Sequence, residues 1–291
     1  MRLDRLISLG LVHPLRQALG RSTDKGRCLP ILMYHSISDD PEPAHSPYYK
    51  VCTSPRRFAE QMHWLKTAGW QGVTLSDGLD FLNGKKDLNG NPVAITFDDG
   101  FSDFRTAAFP ALQQHGFSAT MYLPTAFIGE NRKQFKGRDC LTWAEVRDLA
   151  AAGIEFGSHT VNHPVLYKIS FPEIEAELRE SKATIEKQLN HPVPAFAYPF
   201  AFPQTDGGFR ARFLEILRAV GYESSVTTEI GTAIPDDEFL QLKRLPANMC
   251  DDEALLRAKL AGAYDWMRGP QNLMKRLKSL RLQPSSASAK S

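Results

Sequence analysis

The stretch VAITFDDG, residues 93–100, sets an apolar run directly against two adjacent aspartates and a glycine. Five apolar or β-branched residues bounded by Gly read as a buried strand. Adjacent carboxylates repel, and burying such a pair is costly without compensation. Asp98 and Asp99 at the end of a core strand therefore need something to compensate them, unless DDG is a plain turn with solvated acids.

Outward from this strand, short apolar runs alternate with segments of helical period. PILMY (30–34), SATMYL (118–123), IEFG (154–157), AFAY (195–198) and ESSVTT (223–228) read as further strands. Ser54 and Pro55 open a helix whose Phe58, Met62 and Leu65 share one face and which ends near Gly69. Thr142 with Glu145, and Ser170 with Glu173, have the spacing of capping boxes. The second of these helices carries Ile174, Leu178, Ile185 and Leu189 as an apolar stripe. Strands alternating with helices over this length predict an α/β fold with parallel strands, leaving open barrel versus open sheet.

With 291 residues and 42% hydrophobic side chains the chain can bury a full core, and a formal net charge of +2 argues against a nucleic-acid partner. Cys28, Cys52, Cys140 and Cys250 form no CxxC pair and are expected to be free thiols.

The residues with chemical potential cluster just after the strands. His35 follows PILMY, Asp98 and Asp99 follow VAITF, His159 and His163 follow IEFGS, and Pro199 and Phe200 follow AFAY. Catalytic groups in α/β folds gather at the carboxyl ends of parallel strands. His159 and His163 are four apart, which on a helical turn is metal-ligand spacing. Two imidazoles and one carboxylate suit a catalytic divalent ion with open positions. If Asp99 is that carboxylate, its charge is compensated, and Asp98 stays free as a general base. Gly100 relieves crowding where the backbone turns.

TFDDG (96–100), SHTVNH (158–163) and FAYPF (196–200) together resemble the NodB-homology polysaccharide deacetylases, carbohydrate esterase family 4, over roughly residues 30–250. The resemblance implies a distorted (β/α) barrel of about seven parallel strands and removal of N-acetyl groups from amino sugars. It implies Asp98 as base, Asp99, His159 and His163 as metal ligands, and an oxyanion contact from the Phe200 backbone beside Pro199. Ala197 stands where the family's third motif begins with an arginine that orients the base, and Arg244 in LKRLPAN is the candidate replacement. The late histidine motif of the family is missing, since no histidine follows His191. LMYHSI, with His35, resembles a branch that includes biofilm poly-N-acetylglucosamine deacetylases, which makes His35 the candidate general acid.

The expected cofactor is one divalent ion, zinc by default, with Co, Ni, Fe or Mn also suited to the ligand set. The expected substrate is an N-acetylglucosamine-type polymer or its exopolysaccharide precursor. The alternatives are a deacylase of a lipid-linked sugar or other amide, and a non-catalytic carbohydrate-binding protein. Trp143 and the loop 39–51, with Tyr48 and Tyr49, are candidates to line a sugar groove, with core packing and plain surface as the competing roles.

Residues 1–29 read as an amphipathic extension, 30–268 as the deacetylase domain and 269–291 as a basic helix with a polar tail. In that helix Leu273, Leu277 and Leu280 share a face opposite Lys and Arg. Docking on the domain and contact with an anionic membrane both suit it. The opening residues lack the apolar core of a signal peptide, so the expected location is cytoplasmic, with peripheral membrane contact through the basic ends as the alternative.

Overall fold

The computed structural model describes residues 2–19, 27–42 and 50–282, with side chains described as far as residue 275. Eight strands make its main sheet: β1 (Ile31–Tyr34), β2 (Trp70–Val73), β3 (Asn91–Phe97), β4 (Thr120–Leu123), β5 (Glu155–Ser158), β6 (Ala195–Ala197), β7 (Ser224–Ile230) and β8 (Leu242–Pro246). All pairings in it are parallel. Seven strands close a ring in the order β1-β3-β4-β5-β6-β7-β8, and β8 returns to β1. The seam is fixed by Leu32, which pairs with Ile95 on one side and Leu245 on the other. β2 stands outside the ring on residues 91–94 of β3. The ring is irregular: β5 and β6 pair only through Ser158 and Phe196, and the β7–β8 register shifts between Val226 and Ile230. This is the distorted barrel of seven parallel strands that the resemblance implies.

Strand alternation sorts side chains between inside and outside. Ile31, Ala94, Tyr122, Ala195, Ala197, Val226 and Leu242 form an inner cluster with Leu75, Leu79 and Leu82 of α4 (Leu75–Leu82). The Leu75 amide donates to Thr120 Oγ1 at the start of β4, so α4 plugs the amino-terminal end of the barrel. Small inner residues make room for one large ring: a Cβ on Gly157 would lie 2.5 Å from Tyr122.

Outward-facing Leu32, Tyr34, Ile95, Phe97, Met121 and Phe156 pack against α3 (Pro55–Thr67), α5 (Phe109–His115) and α6 (Trp143–Ala151). Phe196 packs against α7 (Phe171–Leu189) and α8 (Gly207–Val220). Both expected capping boxes are formed. Trp143 is buried in the core. The four cysteines are free.

The amino-terminal segment is helical: α1 (Leu3–Ile7), a π-helical turn over Ser8–Val12, and α2 (His13–Ala18). It packs beside α9 (Glu253–Leu260) and ahead of the closing helix α10 (Arg268–Leu282). No helix among the described residues is long and apolar enough to cross a membrane. Tyr48, Tyr49, the tail 283–291 and the side chains of Leu277 and Leu280 lie outside the described residues.

Candidate active site

The carboxyl ends of β3, β5, β6 and β8 meet at one mouth of the barrel. Asp98 leaves β3 with its amide donating to the Tyr34 carbonyl at 3.0 Å, which fixes its place beside β1. The backbone then turns through left-handed conformations at Asp99 (φ 75°) and Gly100 (φ 65°). That region is costly for a residue bearing a Cβ and cheap for glycine. The turn sends the two aspartate side chains to different partners.

Asp98 meets Arg244, which rises from β8 inside the barrel. The pair is bidentate, at 2.7 and 2.8 Å, and both residues are buried. Arg244 also donates to the Thr227 carbonyl at 3.0 Å. Burial pushes the Asp98 carboxyl up, but the Arg244 guanidinium, with His159 and His35 adding, holds it below its ordinary range. The His35 Nε2 lies 3.9 Å from Asp98 Oδ2, and the His35 side chain is partly exposed.

Asp99 meets the histidines. Its Oδ1 is 3.3 Å from His163 Nε2 and 3.7 Å from His159 Nε2. The histidines do not sit on a helical turn: residues 159–163 form a bend, with Thr160 at φ 70° and His163 at φ 53°. The bend folds His163 back so that the rings meet edge to face, 4.7 Å apart. The His159 Nδ1 bonds the Ala197 carbonyl at 2.7 Å, which leaves Nε2 as the lone-pair nitrogen facing Asp99. Burial, with His163 adding, pulls His159 down to about 3 against the opposing pull of Asp98 and Asp99.

The Nε2 lone pair of His159 thus faces a buried carboxylate oxygen. Asp99 Oδ1 has no hydrogen bond of its own, and neither has His163 Nδ1. The candidate ligand atoms of Asp99, His159 and His163 lie within 4.8 Å of one another. Ligands about 2.1 Å from a tetrahedral ion are about 3.4 Å apart, close to the spacings Asp99 makes here. An ionised Asp99 and a neutral His159 are also in the protonation states a divalent ion needs. The three side chains fit such an ion.

Phe200 is left-handed (φ 59°), follows buried Pro199, and lays its half-exposed ring against His163 at 4.5 Å. Its carbonyl accepts from Thr228 Oγ1.

One residue at the site escaped sequence reasoning. Gln134–Phe135 and Arg138–Asp139 form a small hairpin whose tip is Lys136-Gly137, both at positive φ. Lys136 Nζ reaches Asp99 Oδ2 at 3.0 Å and sits over the rings of Phe135 (4.5 Å) and Phe200 (5.5 Å). The K-G dipeptide signals the turn, but nothing local says that the turn overhangs the site. Burial pushes Asp99 up, and His163, His35 and Lys136 together hold it well below the carboxylate range.

Residues 85–225 match the sequence pattern of the family described as polysaccharide deacetylase. His35 and Arg244 both lie outside that segment. The chain is 29% identical over 223 residues to YxkH of Bacillus subtilis (strain 168), a protein named for the same family; the match covers 77% of this chain and 72% of that one. It is 28% identical over 234 residues to the poly-beta-1,6-N-acetyl-D-glucosamine N-deacetylase of Escherichia coli (strain K12). That match covers 69% of this chain but only 34% of the E. coli protein. Among solved structures, the Streptococcus pyogenes deacetylase PplD in complex with acetate superimposes with a TM-score of 0.70 at 26% identity, covering 81% of this chain and 99% of that one. Motifs, barrel and relatives agree: the chain carries a polysaccharide deacetylase domain of the NodB-homology type, carbohydrate esterase family 4.

Proposed function

We propose that the chain is a metal-dependent hydrolase that removes N-acetyl groups from an N-acetylglucosamine-type polymer or its precursor, releasing acetate. One observation carries this reading: three buried ligand atoms converge from two segments while a second buried aspartate beside them is reserved by an arginine. Asp99, His159 and His163 would hold the ion, which when bound supplies Lewis-acid polarisation and acidifies water.

The chain's own residues supply the rest. Asp98 accepts the proton of the attacking water, and Arg244 keeps it ionised and oriented through two parallel hydrogen bonds. Arg244 takes from β8 the part that the family's third motif assigns to the position of Ala197. The Phe200 backbone amide, set by the Pro199–Phe200 turn, contributes to holding the oxyanion. His35 returns a proton to the departing sugar amine. Burial works against a standing proton on His35, and the Asp98 and Asp99 carboxylates work for it. The acid role therefore depends on negative charge retained in the site.

A polar cleft of about 290 Å³ shares the hairpin that carries Lys136, and is lined by Ser38, Asp40, Ser102, Asp103, Gln134, Gly137, Arg138 and Asp139. Its hydroxyls, carboxylates and guanidinium suit a sugar residue next to the reacting one. The names of the relatives direct the choice of substrate to N-acetylglucosamine polymers. Acetate release from N-acetylglucosamine oligomers, abolished by chelator and restored by added Zn, Co or Mn, tests the reading. No release with any of these metals on β-1,6- or β-1,4-linked oligomers would overturn it.

A further inference from the structure

The outward face of the amino-terminal helix is apolar from end to end. Leu3, Leu6, Leu11, Leu15 and Leu19 are 51–65% exposed. Gly10, Pro14 and Ala18 are exposed too, and Gln17 is the one polar residue among the exposed positions of 2–19. The polar groups point inward instead. Arg2 donates to the Cys250 carbonyl at 2.8 Å, and Arg5 pairs with Asp252. Asp4 accepts from the Tyr264 hydroxyl at 2.9 Å, and Ser8 from Trp266 Nε1 at 3.0 Å. A surface helix of a protein surrounded by water has the opposite arrangement. Here the domain holds the polar face and leaves the leucines for something apolar.

Charge selects the occupant. Residues 1–29 carry six basic and two acidic side chains, and residues 266–291 carry six basic and none acidic. The whole chain is only +2, so residues 30–265, with 23 basic and 31 acidic side chains, are net −8. Positive charge is thus segregated to the two terminal segments of the sequence, and since the domain engages Arg2, Arg5, Arg27, Arg268 and Lys275, the remaining basic side chains carry the attraction. α10 exposes Leu273 and Met274 just before its basic run. A second copy seated on the leucines would bring like charges together. An anionic lipid surface would meet both the apolar ridge and the charge. Residues 3–18 span about 24 Å at 1.5 Å per residue, short of the ~30 Å hydrocarbon core, so the helix would lie in the plane of the surface.

We propose that the amino-terminal helix embeds its leucine face in the headgroup layer of an anionic phospholipid bilayer, drawn there by the net positive charge of the two terminal segments. The inference is independent of the reaction assigned above. The full chain should float with vesicles of phosphatidylcholine and phosphatidylglycerol (70:30), at least about tenfold more tightly than with pure phosphatidylcholine. Leu11→Glu/Leu15→Glu should lose at least about tenfold in binding with an unchanged melting curve. Leu11→Gln/Leu15→Gln, which adds no charge, should also bind less. Wild type that stays in solution with the anionic vesicles, or glutamine and glutamate variants that float as well as wild type, would overturn the proposal. So would a wild-type dimer in sedimentation velocity that the glutamate variant dissociates while lipid binding is absent.

Discussion

The adjacent aspartates meet different partners because the backbone reverses between them. Asp98 is committed to Arg244 and Asp99 to the histidines. Asp98→Asn should lower acetate release by about 10²–10⁴-fold while metal content, read by atomic emission, stays at the wild-type ratio. Full activity in that variant would remove the base assignment. Arg244 is wholly buried against the carboxylate. Removing one partner of such a pair leaves an uncompensated charge, so Arg244→Met should cost about 3–5 kcal/mol in urea unfolding. Asp98→Asn in the same chain should recover a large part of that loss, because the stranded charge is gone. Additive losses would mean that the pair contributes nothing to the fold.

At the scale of elements, the site depends on close fits and caps away from the chemistry. Gly157 on β5 faces the Tyr122 ring of β4, and a Cβ at 2.5 Å cannot be accommodated without movement. Gly157→Ala should destabilise by about 1–3 kcal/mol, and Tyr122→Leu should relieve part of it in thermal melts. Equal melting temperatures for Gly157→Ala and wild type would show that the barrel interior is looser than its packing implies. Glu145 closes the cap of α6 and accepts two bonds of 2.8 Å from Arg132. Burial pushes its carboxyl up, and Arg132 and Thr142 outweigh it, so the folded value is lowered. A lowered carboxyl contributes stability that is present above its ordinary value near about 4.3 and disappears as pH falls through the folded value. Glu145→Gln should therefore lower the melting temperature at pH 7 and converge on wild type toward pH 3. A constant difference across that range would exclude the carboxylate as its source.

For the molecule as a whole, the candidate metal site joins segments far apart in sequence. Asp99 ends β3, and the histidines follow β5. An ion binding only the folded chain stabilises it by about 2.7 kcal/mol at a hundredfold excess over Kd. Chelation should therefore lower the melting temperature by several degrees, and Asp99→Ala should remove that sensitivity. A melting curve indifferent to both chelator and added zinc would count against a resident ion.

Much of this architecture is legible in order along the chain. Alternating apolar runs and capped helices announce parallel strands, because burial on both faces demands apolar strands and helix ends demand caps. β8 was not legible. LKRLP looks like a charged loop, since a strand is recognised by apolar residues and Arg244 is inside the barrel only because Asp98 is there to receive it. Lys136 was equally hidden, since its turn is local but the overhang above Asp99 is not. The leucine face of the amino-terminal helix needed the fold as well: periodicity shows that a helix has two faces, and packing alone decides which one the protein keeps. The sequence by itself determined the motifs, the strand–helix alternation and the chemistry of the donors. The tertiary structure decided ring closure, the reach of Arg244 and the convergence of Asp99 with two histidines, because these are contacts between residues that share no local pattern.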